Sequence, residues 1–171
     1  MNHQQTFTLW LTEYEKMLRH IIVGFEAKPA LQDELFQEIA LNIWKALPGF
    51  RQDASAKTFV ARIAHNVLAT HVAKSVRTVK ADQDIDAVCA TDEAPLSNHS
   101  TPYQALDQRQ RQQRLSHAIR QLKLDQQQVI TLALEGMSYL EIADTLSITT
   151  NLVGVRLQRA KASLTELLEV S

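Results

Sequence analysis

The 171 residues are 45% apolar, which is enough to build one or two small hydrophobic cores, and the few aromatic, glycine and proline residues indicate an all-α protein. A single cysteine, Cys89, excludes a disulfide framework, and no histidine or cysteine cluster has the spacing of a zinc site. The formal net charge is −1, the N-terminus lacks an export signal and no run of about 18 apolar residues occurs, so the sequence predicts a soluble, cytoplasmic protein without a membrane span.

The N-terminal part of the chain predicts three amphipathic helices around one small core. The first covers TLWLTEYEKMLRHIIVGF, and the second, DELFQEIALNIWKAL, carries apolar residues at every fourth position from Leu35 to Leu47. Trp44 lies beside this stripe and is expected to be a core residue, and the Pro48–Gly49 pair ends the helix. After a short polar loop, AKTFVARIAHNVLATHVAK repeats the helical period.

The distribution of charge separates two folded segments from a connector. Residues 1–80 have a net charge of +3, residues 81–105 of −5 and residues 106–171 of +1. The central segment contains acids, serine, threonine and two prolines without an apolar period, so it cannot bury enough apolar surface to offset its ordering entropy. We therefore expect a flexible acidic linker at 81–105 between two domains.

The C-terminal part predicts four helices. ALDQRQRQQRLSHAIRQLK has a thin apolar stripe, and Asp125 is expected to cap the next helix, QQQVITLALEG. Ser138 and Glu141 have the spacing of a capping box that starts a short helix, and the turn SIT leads to the last one. A short helix, a tight turn and a long helix indicate a helix-turn-helix. The residues expected to form the buried stripe of the last helix are Val153, Leu157, Ala160, Leu164 and Leu168.

Both halves carry motifs of one family. DELFQEIALNIWKALPGFR, followed by ASAKTFVARIAHN, resembles region 2 of the extracytoplasmic-function (group IV) sigma factors, which belong to the sigma-70 family of bacterial RNA polymerase factors. EGMSYLEIADTLSITTNLVGVRLQRAKASL resembles sigma region 4. The matches cover most of residues 8–75 and 106–168 in the family's order. The resemblance implies two small helical domains, region 2 at 1–80 and region 4 at 106–171.

The resemblance also implies a function. The chain would be an alternative sigma factor that binds core RNA polymerase and directs promoter-specific transcription initiation. Region 2 would bind the polymerase and melt the −10 element, and region 4 would bind the −35 element. An anti-sigma factor is an expected partner, while no cofactor, metal or enzymatic activity is expected.

The resemblance assigns site residues by position in the motifs. The residues implied in binding core polymerase are Asp33, Glu34, Gln37 and Glu38. Those implied at the −10 element are Phe50, Arg51, Lys57, Thr58, Phe59, Arg62, His65 and Asn66. Those implied at the −35 element are Ser138, Tyr139, Thr149, Thr150, Asn151, Leu152, Val155, Arg156, Arg159 and Lys161. Phe59 either stacks on an unpaired base or belongs to the core, and the sequence leaves both roles open.

The recognition helix departs from the family pattern. The family usually has threonine, lysine and serine where this chain has Leu152, Gly154 and Val155. With Val153 pointing inward, a rotation of 100° per residue places Val155 on the opposite, outward face. Apolar side chains contact thymine methyl groups in the major groove while flanking cations bind phosphates, so the helix suits a T-rich −35 site with weaker electrostatic attraction. The same apolar surface also suits a protein partner.

Two other classes of protein fit part of the sequence. A LuxR-type helix-turn-helix regulator has a similar C-terminal domain, but it would need an N-terminal sensory or receiver domain with strands. A sigma-like helical interaction module without strong DNA binding fits the near-neutral charge and the altered recognition helix. An enzyme is disfavoured because His65 and His71 are six residues apart and no glycine-rich phosphate loop or nucleophile motif occurs.

Overall fold

The computed structural model describes residues 2–81 and 102–170, and within these ranges it consists of helices and turns without a strand. The N-terminal half contains α1 (His3–Val23), α2 (Pro29–Ala46), a 3₁₀ turn (Leu47–Gly49) and α3 (Ala56–Ala81). The C-terminal half contains α4 (Pro102–Arg120), α5 (Leu124–Leu134), α6 (Tyr139–Leu146) and α7 (Thr150–Val170). The predicted all-α fold is confirmed. Most of the predicted linker lies outside the described residues, and α4 begins inside its predicted bounds.

The apolar stripe of α2 holds the N-terminal half together. Leu35, Ile39, Ile43 and Leu47 are all buried, as the sequence predicts, because their spacing of four keeps them on one face of the helix. They pack with buried residues of α1 and α3. The prediction that Trp44 is a core residue is wrong: it is 43% exposed. It follows Ile43 directly, so a rotation of about 100° carries it off the buried face.

The helix-turn-helix of the C-terminal half has the predicted start. The Ser138 hydroxyl accepts the Glu141 backbone N–H at 3.2 Å, and the Glu141 carboxylate accepts the Ser138 N–H at 3.0 Å, which confirms the capping box of α6. The predicted cap of α5 is wrong, because the N-cap is Lys123 and Asp125 lies one residue inside the helix. Leu124 is the first residue of α5 and packs against the core, so the helix begins before Asp125.

Four of the five residues predicted for the buried stripe of α7 are buried, from Val153 to Leu164. The prediction for Leu168 is wrong, since this side chain is 39% exposed. Helix α7 has 21 residues and its neighbour α5 has 11, so α5 is too short to cover the last turns of α7. Leu168 lines an open cavity together with residues of α4 such as His117 and Ala118.

The two halves pack against each other. Helix α3 contacts α6, and α1 and α3 both contact α5. As a result, the buried apolar residues of the two halves belong to one hydrophobic cluster. This contact sets where the candidate binding residues lie relative to each other.

Ser147 ends α6 in a strained conformation, which generates a stability prediction. Its φ of 57° and ψ of 46° are in the left-handed region, where a residue with a Cβ is disfavoured and glycine is common. We expect Ser147→Gly to raise the free energy of unfolding by roughly 0.5–1 kcal/mol, because it removes a left-handed penalty of about 1–2 kcal/mol while glycine loses more backbone entropy on folding; urea denaturation measures the change. Ser147→Ala keeps the Cβ and should give no gain; an equal gain would show that the strain is not the source.

Candidate nucleic-acid interface

The exposed face of α2 carries the residues implied in polymerase binding. Glu34, Gln37 and Glu38 are exposed to solvent on the side opposite the buried stripe. Asp33 is also exposed, and its carboxylate accepts a hydrogen bond from the Arg19 guanidinium at 3.2 Å. The face is therefore an acidic, accessible surface on a helix whose other side is fixed in the core.

An aromatic cluster holds the loop between α2 and α3. Phe50 and Phe59 lie 4.8 Å apart between ring centroids, and Trp10 of α1 meets them edge-on at 5.0 and 5.8 Å. Trp10 is buried, while both phenylalanines are half-buried. Phe59 thus takes part in packing and keeps part of its ring accessible, which is compatible with either of its two predicted roles.

The beginning of α3 is fixed by a cap that the sequence reading missed. The Ser55 hydroxyl accepts the backbone N–H of Thr58 at 3.1 Å and donates to the Thr58 hydroxyl at 3.0 Å. A serine three residues before Thr58 is a signal that could have located this helix start. Members of the implied −10 set differ in exposure. Thr58 is buried and Lys57 is half-buried, whereas Arg51 and Asn66 are exposed.

Arg62 of the implied −10 set reaches the C-terminal half. Its Nη2 donates to the backbone carbonyl of Asp144 at 2.7 Å, near the end of α6, where helix carbonyls carry partial negative charge. Its Nε is buried and has no hydrogen-bond partner. Lys57 is also near α6: the pKa of Glu141 is lowered mainly by the Ser138 backbone N–H and in smaller part by the Lys57 charge. The face of α3 that would meet the −10 element therefore lies against the helix-turn-helix.

His65, one turn after Arg62, is buried in this arrangement. Its ring meets Phe25 edge-on at 5.5 Å between centroids, and neither ring nitrogen has a hydrogen-bond partner. Burial lowers the pKa of His65 from 6.5 to about 4, so the imidazole is neutral at pH 7. A neutral, covered imidazole does not bind phosphate, so in this arrangement His65 has no access to DNA.

The residues implied at the −35 element lie at the start of α6, at the turn before α7 and along α7. Thr149 caps α7 by accepting the Leu152 backbone N–H at 3.1 Å. Leu152 and Val155 are half-buried, and Arg156 is half-buried with its Nε 4.0 Å from an Asp125 oxygen. The exposed members of the set are Ser138, Tyr139, Thr149, Thr150, Asn151, Arg159 and Lys161.

Gly154 lies next to Tyr139, which begins α6. A Cβ at Gly154 would lie 3.5 Å from the Tyr139 ring, an ordinary van der Waals distance. The glycine is therefore not required for packing against Tyr139.

Other classes of site are not seen in the described part of the chain. Residues 2–81 and 102–170 contain no group of three or more histidine, cysteine or carboxylate side chains that could hold a metal ion. No helix in the same ranges combines the length and the apolar character needed to cross a membrane.

Comparison with known proteins assigns each half of the chain to a known domain family. Residues 10–78 match the model of sigma-70 region 2, and residues 112–164 match the model of sigma-70, region 4. The chain belongs to the sigma-70 family. It is 27% identical over 169 residues to the RNA polymerase sigma-H factor of Pseudomonas aeruginosa, covering 97% of this chain and 88% of that protein. It is also 27% identical over 164 residues to the ECF RNA polymerase sigma-E factor of Escherichia coli K12, covering 94% and 85%. The predicted membership in the extracytoplasmic-function group is confirmed.

Two solved structures share the fold of this sigma factor. One is CnrH in complex with the cytosolic domain of CnrY, with a TM-score of 0.68, 22% identity and coverage of 98% of this chain and 90% of that one. The other is the sigma factor RpoE in complex with the anti-sigma factor NepR from Bartonella quintana, with a TM-score of 0.70, 21% identity and coverage of 98% and 97%. Each likeness extends over both helical halves.

The burial of His65 predicts a pH dependence of stability. The folded pKa of about 4 lies below the unfolded value of 6.5, so between these values the unfolded chain binds more protons. The contribution of His65 to the free energy of unfolding is fully present above pH 6.5. It decreases as the pH falls toward 4, by up to about 1.4 kcal/mol per pH unit. In His65→Leu the slope of unfolding free energy against pH should fall by about one proton in this window, measured by urea denaturation at a series of pH values. An unchanged slope would show that the imidazole is not buried in the folded state.

Proposed function

We propose that this sigma factor binds core RNA polymerase through the exposed face of α2, engages the −10 element with α3 and its preceding loop, and binds the −35 element with α6 and α7. The observation that carries the proposal is the presence of sigma regions 2 and 4, in that order, along a single chain of 171 residues. We place the two functional domains at 1–80 and 106–171, with a connector between them.

The exposed face of α2 supports the proposed polymerase contact. Gln37 and Glu38 are exposed although the same helix supplies three buried residues, Leu35, Ile39 and Ile43, to the core. A rigid helix that presents acidic side chains can bind a basic surface without further ordering of its backbone. Arg19 restrains Asp33 at one edge of this face.

The outer face of α7 supports the proposed −35 contact. Exposed Arg159 and Lys161 can neutralise phosphates, while Leu152 and Val155 form an apolar centre suited to thymine methyl groups. Because no cation lies at this apolar centre, the base contacts contribute shape complementarity to the complex. The phosphate contacts contribute most of the binding affinity. We propose a T-rich −35 element for this reason.

An anti-sigma factor is the proposed regulatory partner. One similar solved structure holds CnrH with the cytosolic domain of CnrY, and the other holds a sigma factor with the anti-sigma factor NepR. The half-buried apolar residues of α7 give such a partner a surface to cover. We further propose that the protein acts in the cytoplasm, where bacterial RNA polymerase works, and that it has no catalytic activity of its own.

A double substitution on α2 tests the polymerase contact. Gln37→Ala with Glu38→Ala should change the free energy of unfolding by no more than roughly 0.5 kcal/mol, since both side chains are exposed. Affinity for core polymerase should fall more than about tenfold, because a hydrogen-bonded charge central to an interface is worth about 2 kcal/mol or more. The measurement is titration of labelled sigma factor with core enzyme.

The matched control removes the same residue types elsewhere. Gln113→Ala with Glu166→Ala takes one exposed amide and one exposed carboxylate from the C-terminal half. This variant should bind core polymerase normally. Equal losses in the two variants would indicate a general effect of charge and would contradict a binding face on α2.

A substitution on α7 tests the −35 contact. Arg159→Ala should weaken binding of the holoenzyme to all promoter sequences and reduce the slope of log affinity against log salt by about 1, as the loss of one phosphate contact does. The measurement is promoter binding at several salt concentrations. Lys123→Ala, an exposed cation at the start of α5, is the control and should keep the slope. A preserved slope in Arg159→Ala would place DNA on another face of the domain and favour the interaction-module alternative.

A further inference from the structure

The outward face of α7 carries two amide side chains on one line. Asn151 and Gln158 are exposed, whereas Val153 and Leu157 are buried and fix the helix in the core. The Thr149 hydroxyl caps the helix just before Asn151. At about 100° and roughly 1.5 Å per residue, a spacing of seven residues places the two amides on the same face, about 10 Å apart along the helix axis.

Neither amide group takes part in the fold. Within residues 2–81 and 102–170, no hydrogen bond involves the side chain of Asn151 or Gln158. By contrast, the exposed amide of Asn42 in α2 donates to the Glu38 carbonyl of its own helix at 2.8 Å. Each of the two amides on α7 therefore offers a donor and an acceptor to a molecule that binds this face.

Gly154 lies between the two amides along α7, and the fold does not account for it. A glycine inside a helix is destabilising relative to alanine. A Cβ at this position would lie 3.5 Å from Tyr139 Cε2, an ordinary contact, so packing does not exclude a side chain. Gly154 is helical and is not in the left-handed region, so its backbone conformation does not require glycine either. The remaining reason for a glycine is the close approach of a ligand to the helix backbone.

The two amides have the chemistry that recognises adenine in the major groove. The amide oxygen accepts from adenine N6 and the amide N–H donates to N7, a pair of bonds that the other three bases do not offer. The first turns of a recognition helix are the part that reaches base edges. For a helix inclined to the DNA axis, about 10 Å corresponds to two or three base-pair steps of about 3.4 Å. The two amides therefore reach two different base pairs.

We propose that Asn151 and Gln158 read two A·T pairs of the −35 element, two or three base-pair steps apart, and that Gly154 lets the intervening bases approach the helix backbone. The inference rests on the proposed −35 contact of α7 and names the sequence that this contact selects. Val155 lies beside the line of the two amides, where its methyl groups can meet a thymine methyl group. Arg159 binds phosphate and carries no sequence information.

The first test selects promoter sequences with the holoenzyme formed from the full chain and core polymerase. Duplex fragments randomised over the promoter region are bound, recovered and sequenced, so no promoter needs to be known beforehand. The upstream element should contain two required A·T pairs at the stated spacing. Asn151→Ala and Gln158→Ala should each lower the preference at one of these pairs, and at a different one, by about tenfold. Loss at the same pair in both variants, or at neither, would overturn the assignment.

A change of specificity distinguishes base reading from a structural effect. Arginine binds N7 and O6 of guanine, so Gln158→Arg should replace adenine by guanine at one position and leave the pair read by Asn151 unchanged. A helix that is merely destabilised would lose both preferences together. Gln113→Arg, which adds the same charge at an exposed amide of α4, is the matched control and should keep both A·T pairs. An unchanged selected sequence in Gln158→Arg would show that this residue does not read a base.

Gly154→Ala tests the close approach of DNA. The melting temperature of this variant should rise, because alanine favours the helix and the added Cβ makes only an ordinary contact with Tyr139. Its holoenzyme should nevertheless bind the selected promoter more weakly than the parent holoenzyme does. A more stable protein with undiminished promoter affinity would overturn the role given to the glycine.

The selection also separates this inference from the proposed function. A holoenzyme that selects an upstream element without the two A·T pairs would overturn the reading by amides and leave the −35 contact intact. A holoenzyme that selects a −10 element alone would refute the −35 contact of α7, and the inference with it.

Discussion

The backbone at the end of α1 is bonded to both α4 and α5 and so ties the two halves of the molecule together. Buried carbonyl groups need hydrogen-bond partners, and the carbonyls of Val23 and Gly24 find theirs in Arg120 and Gln127. These bonds hold α5 beside α1, and α6 packs against α3 through a separate contact that includes the bond from Arg62 to the Asp144 carbonyl. The two contacts together set the relative position of the candidate binding surfaces.

The predictions that were confirmed depend on local sequence patterns. The stripe of α2 and the capping box at Ser138 depend on residues within four positions of each other, so the sequence contains all the information needed. The errors have a related cause. Trp44 and Leu168 have apolar side chains at plausible positions, but their burial depends on which neighbouring helix is long enough and close enough to cover them.

The contact between the halves could not be predicted from the sequence. Its hydrogen bonds join residues about a hundred positions apart, on either side of an acidic segment that reads as a linker. Gly24 gives no local signal, since it follows a helix where glycine is common. A Cβ added at Gly24 would lie only 2.7 Å from Thr131 Cγ2, and this distance shows that the glycine allows close packing between α1 and α5.

The residues of the proposed −10 surface lie in two environments. Arg51 and Asn66 are exposed, whereas Thr58 and His65 are buried and Arg62 is bonded to the other half. Side chains chosen only for a stable core would not include an imidazole without partners or a guanidinium with an unpaired nitrogen. Their presence on one helix face is understandable if that face also serves a second, more hydrated arrangement.

The weak charge of the recognition helix agrees with binding that is shared among several contacts. A sigma factor held by polymerase meets its two promoter elements as linked sites, so each contact gains from the high effective concentration of the other. Under those conditions an apolar centre at Leu152 and Val155, flanked by Arg159 and Lys161, needs to supply only modest affinity. A near-neutral chain then has little tendency to bind DNA before it has bound polymerase, because non-specific affinity depends mainly on the number of phosphate contacts. The low charge on α7 therefore agrees with the proposed function, in which polymerase is bound before the promoter.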